Sequence, residues 1–210
     1  MGPSAGDPRA PGFYDRSVQE VAADLLGCTI RHGDSAGRIV EVESYHESEA
    51  ACHAHTGLTP RTRVLFGAPG HAYVYRSYGV HALLNCVAEP EGVGAAVLVR
   101  ALEPLAGAHA MELRRGPRPA RDLCSGPGKL TQALGIGLDL NGVSFADGPI
   151  VVEPRPPHDR PPRPVSGERI GITRAVELPW RLCDATSDCV SRPWPPAMRG
   201  RRSARRPRAA

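Results

Sequence analysis

Apolar positions recur along this chain with two different periods, and together they predict a mixture of helices and strands. In the segment that begins at Phe13 the apolar residues share one helical face, and Ser17 with Glu20 forms a capping box. Further helices are predicted at 107–115 and 128–134. Strands are predicted at 28–31, 38–44, 71–76, 148–153, 168–173 and 181–183, and the apolar segments 81–87 and 94–102 are expected to be buried. Many short strands with few helices indicate a single domain of the α+β class.

Proline and glycine mark the boundaries of the folded part. Residues 1–12 are rich in both and are expected to form a disordered leader, followed by a folded domain over 13–191. Six of the eleven residues in 154–164 are proline, which predicts an exposed loop within that domain. The last segment, 192–210, is expected to be a disordered tail.

Two acidic residues lie inside an apolar strand pattern. Strict alternation over 38–45 would put Ile39, Glu41, Glu43 and Tyr45 on one face of the strand, with the valines between them on the other. Carboxylates in such a strand must be either solvated or paired. The pattern is therefore compatible with a solvent-facing edge strand and with a functional acidic site.

A similar choice applies to Arg100 and to the tyrosines. Arg100 ends an apolar strand, where it either meets an anionic partner or lies at the rim of the sheet. Four of the five tyrosines, namely Tyr45, Tyr73, Tyr75 and Tyr78, fall in two neighbouring segments. They could form ordinary core or an aromatic site.

Composition favours a globular protein, with 41% apolar and 23% charged residues. The longest apolar run, residues 95–99, is far shorter than the ~18 residues of a membrane helix, and the start of the chain does not resemble a signal peptide. A cytoplasmic location without membrane association is expected. The six cysteines lack metal-knuckle spacing, so they are predicted to be buried thiols, and no metal site is expected.

The positive charge is concentrated at the C-terminus. Residues 192–210 hold seven arginines and no acidic residue, and removing them from the formal net charge of +4 leaves −3. Such a tail is either a solvated appendage or an arm that binds nucleic acid.

Several of these segments, taken together, resemble the alkyladenine (3-methyladenine) DNA glycosylase family. The similar stretches are IVEVESY (39–45), ACHAH (51–55), TPRTRVLF (59–66), PGHAYVYRSYG (69–79), AVLVRALEP (96–104), RDLCSGPGKLTQAL (121–134) and RIGIT (169–173). They occur in the family's order over roughly residues 13–191. The resemblance implies a curved, mainly antiparallel sheet flanked by helices, and an enzyme without metal or organic cofactor.

The resemblance also implies a chemistry. Members flip a damaged purine out of duplex DNA and hydrolyse its N-glycosidic bond. By correspondence, Glu43 is the general base for a water that Arg100 and the main-chain carbonyl of Ile172 help to hold. Glu41 is then expected to be structural, since one catalytic carboxylate suffices for a cationic leaving base.

The same correspondence assigns the pocket and the DNA contacts. Tyr45, His53 and Tyr75 would sandwich the flipped base, and Asn85 would crowd the amine of normal guanine. Tyr78 would fill the gap left in the DNA stack, although Val80 stands where the family commonly has a methionine. The expected phosphate contacts are Thr59, Arg61 and Lys129, with ordinary surface polarity as the alternative.

Three functions compete at this point. The first is a monofunctional purine DNA glycosylase that acts as a monomer on damaged double-stranded DNA in the cytoplasm, associated with the nucleoid in a bacterium. The second is a non-catalytic damage-binding protein, for which a water-activating Glu43–Arg100 pair would be useless. The third is a glycosylase with lyase activity, which needs an amine nucleophile. The only lysine, Lys129, is distant from Glu43 in the motif order.

Overall fold

A computed structural model describes residues 6–199 of the chain. Eight strands span Thr29–His32 (β1), Ser35–His46 (β2), Ala72–Ser77 (β3), His81–Val87 (β4), Ala95–Ala106 (β5), Ile150–Glu153 (β6), Pro164–Gly167 (β7) and Arg181–Asp184 (β8). Five helices span Val18–Leu25 (α1), Ala108–Arg115 (α2), Ala120–Leu123 (α3), Pro127–Leu134 (α4) and Pro196–Arg199 (α5). Short 3-10 turns lie at His53–Thr56, Arg63–Phe66 and Leu138–Leu140. In this part of the chain no helix is long and apolar enough to cross a membrane.

The strands form one curled antiparallel sheet. Its order is β3-β4-β5-β2-β1-β6, and β8 pairs with both β2 and β7. Along one edge of β2 lies β5, while the other edge pairs first with β1 and then with β8. The fold is therefore a single α+β domain with a curved antiparallel sheet, as expected.

Helix α1 packs on the main core and begins directly after its capping residue, Ser17. The side chain of Ser17 accepts a hydrogen bond from the Glu20 amide, and the Ser17 hydroxyl donates to the Glu20 carboxylate at 2.7 Å. Phe13 and Tyr14 precede the helix instead of belonging to it, but both are buried in the main core. The predicted N-cap at Ser17 is confirmed, but the Glu20 carboxylate bonds to the Ser17 hydroxyl and not to the Ser17 amide, as it would in a full capping box.

Strand β2 does not keep the alternation that the sequence predicts. Its pairing with β5 shifts register on either side of Glu41. As a result Ile39 and Val42 both pack into the main core, whereas Val40 packs into a second cluster with Cys183 and Met198. The strand is also paired on both edges and almost wholly buried, so the solvent-facing alternative for Glu41 and Glu43 is wrong.

The predicted strand over 168–173 is wrong, and regular pairing ends at Gly167. Gly171 has a φ of +78°, which is not a strand conformation, and the Ile170 amide donates to the Glu43 side chain instead of to a neighbouring strand. We call residues 168–180, which connect β7 and β8, the site loop. The proline-rich segment runs as a loop only to 163, since Pro164 starts β7.

The structured region is longer than expected at both ends. Residues 192–199 are not a disordered tail, because Trp194 and Met198 pack into the second core cluster. Residues 6–12 of the expected leader also have a defined structure, in which Pro8 is buried. The remaining parts of both predicted segments, 1–5 and 200–210, lie outside the described residues.

All six cysteines are free and buried, as predicted. Burial raises the pKa of each thiol, for example that of Cys28 to about 12 and that of Cys52 to about 11. These thiols therefore act as small apolar core residues.

Candidate functional site

A cavity of about 770 Å³ opens over the ends of β2, β3, β4 and β5. The site loop, the Gly126–Lys129 corner at the start of α4 and several residues within 50–65 form its other walls. Most of the residues proposed from the sequence line it, namely Tyr45, His53, Arg61, Tyr75, Tyr78, Asn85, Arg100, Lys129 and Ile172. The sheet thus brings together residues that are far apart in the chain.

Glu43 lies directly beneath this lining and is wholly buried. Its Oε2 accepts hydrogen bonds from Nη1 of Arg100 at 3.1 Å and from the Tyr45 hydroxyl at 2.8 Å. Its Oε1 accepts from the Ile170 amide at 2.7 Å. All three donors belong to residues of the cavity wall. The carboxylate is therefore paired and oriented from three sides.

The environment of Glu43 changes its acidity. Burial raises the pKa of the Glu43 carboxyl above its ordinary value, and the positive charge of Arg100 and the Ile170 hydrogen bond oppose that rise. A carboxylate with a raised pKa is a better proton acceptor than an ordinary glutamate. The site therefore holds a basic group directly beneath the wall of a cavity.

Glu41 has a different environment, although it is only two residues away. It accepts hydrogen bonds from Nε of Arg181 at 2.7 Å, from the Ser191 amide at 2.7 Å and from the Ser191 hydroxyl at 2.8 Å. Arg100 uses its Nε to contact Glu41 at 3.2 Å. Glu41 does not line the cavity, and these bonds tie the C-terminal segment to β2.

Arg100 lies between the two carboxylates on the neighbouring strand β5 and is itself buried. The alternative position at an exposed rim is therefore wrong. Two acids and the guanidinium groups of Arg100 and Arg181 form a compact buried network in which opposite charges compensate each other.

Aromatic side chains form one wall of the cavity. The ring centroids of His53 and Tyr75 are 4.6 Å apart in an edge-to-face contact, and Tyr73 stacks on Tyr75 at 5.3 Å. Nδ1 of His53 lies 3.1 Å from the Tyr73 hydroxyl. Burial, together with the positive charge of Arg61, lowers the pKa of His53. The imidazole is therefore neutral near pH 7.

Asn85 lies at the floor of the cavity and is almost completely buried. Its Nδ2 donates to the carbonyl of Tyr73 at 3.0 Å, so the amide is fixed between β3 and β4. A rigid amide at the floor can admit or exclude groups on the edge of a bound ring.

The mouth of the cavity carries Tyr78 and several positive charges. Tyr78 is 87% exposed at the turn between β3 and β4, beside the similarly exposed Val80. Arg61, Arg76, Lys129 and Arg174 also line the mouth. Thr59 does not line the cavity; its hydroxyl pairs with that of Thr62 at 2.9 Å.

Several contacts of the site were not found by sequence reasoning. The amide of Ile170, the ion pair between Arg169 and Glu49, and the contacts of Arg181 and Ser191 with Glu41 all join distant segments. The RIGIT stretch indicated only the neighbourhood of the first two. In the described residues no group of three His, Cys, Asp or Glu side chains could hold a metal ion.

Known proteins are similar to this chain over most of its length. The family model described as Methylpurine-DNA glycosylase matches residues 12–188. A protein of Rhodopseudomonas palustris is 49% identical over 193 residues, which cover 92% of each chain. One of Methanoculleus marisnigri is 52% identical over 185 residues, covering 86% of this chain and 96% of its own. One of Bradyrhizobium diazoefficiens is 50% identical over 193 residues, covering 92% and 95%.

All three relatives bear the name "Putative 3-methyladenine DNA glycosylase". The matched region contains every strand of the sheet and every residue that lines the cavity. With this extent of similarity, the chain belongs to the methylpurine-DNA glycosylase family, the DNA-binding hydrolases of base excision repair.

Proposed function

We propose that this protein is a monofunctional glycosylase that flips alkylated or deaminated purines out of duplex DNA and hydrolyses the N-glycosidic bond, leaving an abasic site. The observation that carries the proposal is the buried Glu43 carboxylate, paired with Arg100 directly beneath an aromatic cavity. We further propose that it works as a monomer on damaged double-stranded DNA, without a cofactor, in the cytoplasm and close to the nucleoid in a bacterium.

In the proposed reaction Glu43 activates a water molecule. The water oxygen bonds to C1′ of the deoxyribose while its proton passes to the Glu43 carboxylate, and the bond from C1′ to the base nitrogen breaks with its electron pair leaving on the base. Arg100 and the carbonyl of Ile172 hold the water. The negative charge of Glu43 also stabilises the positive charge that develops on the sugar.

The aromatic wall would recognise the flipped base. Tyr45 would stack on one face of the purine, and His53 with Tyr75 on the other. An alkylated purine carries a positive charge, which aromatic faces attract and a neutral imidazole does not repel. The lowered pKa of His53 supports this assignment.

The remaining assignments concern selectivity and DNA contact. Asn85 would exclude the exocyclic amine of normal guanine, and the exposed Tyr78 would fill the gap in the DNA stack. Arg61 and Lys129, exposed at the mouth, would contact phosphates. Thr59 would do so from the adjacent turn, outside the cavity lining.

Two rival functions remain distinguishable. A non-catalytic damage-binding protein would have no use for a buried, water-activating carboxylate, so the Glu43–Arg100 pair favours hydrolysis. A lyase would need the amine of Lys129. Because Lys129 lines the same cavity, its distance from Glu43 in the motif order is not an argument against a lyase. Its exposed position at the mouth, 3.5 Å from the Ser125 hydroxyl, supports a phosphate contact instead.

The test uses duplex oligonucleotides that each carry one defined lesion: 3-methyladenine, 7-methylguanine, hypoxanthine or ethenoadenine. We expect release of the free base, with strand breakage only after alkali treatment and no covalent complex on borohydride reduction. Binding without base release would favour the damage-binding protein. Strand breakage without alkali, together with borohydride trapping, would favour the lyase.

A further inference from the structure

One buried arginine of the site loop, Arg169, contacts several groups on and just after strand β2. The Arg169 side chain is completely buried and donates two hydrogen bonds to Glu49, from Nη1 at 2.7 Å and from Nη2 at 2.9 Å. Such a two-point contact fixes the plane of the guanidinium group as well as its position.

The same guanidinium group also bonds to two backbone segments. Nη1 donates to the carbonyl of Ser44 at 2.9 Å, and Nη2 donates to the carbonyl of Ala175 at 3.2 Å. Ser44 lies on β2 immediately after Glu43, and Ala175 lies within the site loop. Arg169 therefore connects strand β2 with a more distant part of the site loop through their backbone carbonyls.

Two aromatic rings cover the guanidinium group. Its central carbon lies 4.6 Å from the ring centroid of Tyr45 and 5.4 Å from that of Trp180. Arg169 does not line the cavity, whereas Tyr45 does. The cation thus supports Tyr45 from outside the cavity.

The next residues of the loop reach the reacting group. The amide of Ile170 donates to Glu43 at 2.7 Å, and Ile172 lines the cavity two residues later. A displacement of Arg169 would therefore move a hydrogen-bond donor of Glu43, the Ile172 carbonyl and the Tyr45 ring together.

We propose that Arg169 is a positioning residue for base excision, which fixes the site loop and Tyr45 through its contacts with Glu49, Ser44 and Ala175. This inference rests on the proposed function, in which Glu43 activates the water. Lysine could keep the charge at this position but has neither the planar fork nor the flat surface that two rings can cover.

The test exploits the Ile170 hydrogen bond, because its loss changes the basicity of Glu43. Removing a donor that stabilises the carboxylate raises the pKa of Glu43, so the acid limb of the activity profile moves to higher pH. The charged and titratable groups that face Glu43 are Arg100 from β5, Glu41 and Tyr45 from β2, Tyr75 from β3, Cys183 from β8 and Arg169 itself. A fair variant must therefore leave the net charge unchanged.

Two variants meet this condition. Arg169→Lys keeps the charge and loses the fork, and the double variant Arg169→Met with Glu49→Gln removes both charges without leaving one unpaired. The matched control is Arg38→Met with Glu103→Gln, which removes a different ion pair, 3.0 Å long, between β2 and β5 and outside the cavity. Unfolding temperature, single-turnover base release and its pH profile are measured for each.

We expect both Arg169 variants to fold and to release base about 100-fold more slowly, as for a small misplacement of reacting groups. Their acid limb should move to higher pH, whereas the control should lose stability with an unchanged acid limb. An unchanged acid limb in both Arg169 variants would overturn the role of Arg169. Full activity of Glu43→Gln would instead overturn the proposed function, so the two failures are distinguishable.

Discussion

At the scale of single residues, this protein gives two neighbouring glutamates different properties. Glu41 is held by two arginines and by Ser191, away from the cavity. Glu43 shares only Arg100 with it and is otherwise held by groups of the cavity wall. The same side chain therefore serves as a structural anchor at one position and as a candidate base at the other.

The first prediction separates these roles by substitution. Glu43→Gln should lower the rate of base release by about 10²- to 10⁴-fold, because the amide cannot accept the proton from water. Binding of lesion DNA should persist or tighten, since a negative charge is removed. Glu41→Gln should keep substantial activity, because its neighbours can still hold an uncharged amide. Single-turnover assays and binding titrations measure both, and the reverse order of activities would assign the base to Glu41.

The second prediction concerns pH. Because burial raises the pKa of Glu43, base release should decline on acidification at a higher pH than an ordinary glutamate would require. The raised folded-state pKa also means that ionising Glu43 reduces the free energy of unfolding as pH rises through that pKa. A rate profile with no acid limb down to about pH 4, near the ordinary pKa of a glutamate, would contradict the assignment of Glu43 as base.

At the scale of elements, the turn between β3 and β4 has an unusual backbone conformation that exposes Tyr78. Tyr78 and Gly79 have φ values of +48° and +71°, and the Val80 amide donates to the Ser77 carbonyl at 3.1 Å. Positive φ at both central positions is typical of a tight type I′ hairpin turn, and it is unusual for a tyrosine. The turn holds the ring in solvent at the mouth of the cavity, where it gives no packing energy.

The third prediction follows from that position. Tyr78→Ala should slow excision from duplex DNA more than from single-stranded DNA, because only the duplex must be unstacked, at a cost of a few kcal/mol per step. The unfolding temperature should hardly change, since the ring is 87% exposed. The comparison needs the same lesion in both substrates. Equal losses on the two would mean that Tyr78 contacts the base itself.

The sequence pattern predicts some of these elements correctly and others not. The longer helices α1, α2 and α4 and most strands follow from capping and periodicity, as at Ser17 and in β3, whereas the one-turn helices α3 and α5 were not predicted. The faces of β2 do not, because a shift of register near Glu41 is set by the pairing with β5 and β8. The first part of the site loop, 168–173, has the composition of a strand, but the Ile170 amide in it bonds to a side chain from another segment.

At the scale of the whole molecule, the charge is divided between the fold and the C-terminal end. Residues 200–210 contain five arginines, and without them the formal net charge of +4 becomes −1. Residues 192–199 belong to the fold through Trp194 and Met198. A deletion that keeps Trp194 and Met198 in the second core cluster must therefore begin after residue 199.

The fourth prediction concerns this segment. Deleting 200–210 should make the salt dependence of non-specific DNA binding shallower, by about 0.9 in the log–log slope for each phosphate that the segment neutralises. Single-turnover excision at saturating enzyme should be unchanged, because the site lies elsewhere. A full-length variant with the five arginines changed to glutamine is the matched control for chain length. An unchanged slope would show that the segment is a passive appendage.

A longer deletion should behave differently. Removing 192–210 also removes Trp194 and Met198 from the second cluster, together with the Pro193 carbonyl that accepts a hydrogen bond from Arg181. Because Arg181 holds Glu41, thermal unfolding of this variant should occur at a markedly lower temperature than that of the shorter deletion.

The sequence by itself determined the class of the fold and the family, and it named nine of the residues that line the cavity. These depend on local periodicity, on capping and on residue types that recur in a fixed order, all of which can be read along the chain. It also identified Glu43 and Arg100 as candidate catalytic residues, although it left open whether each was buried or exposed.

Only the tertiary structure decided how those residues are held. The charge on Glu43 is compensated by Arg100, 57 residues away, and by the Ile170 amide, 127 residues away. The positions of Arg169 and Arg181 depend in the same way on partners in distant segments. Burial and pairing of charges are properties of the packed sheet, because the free-energy cost of each buried group is set by neighbours that only folding brings together.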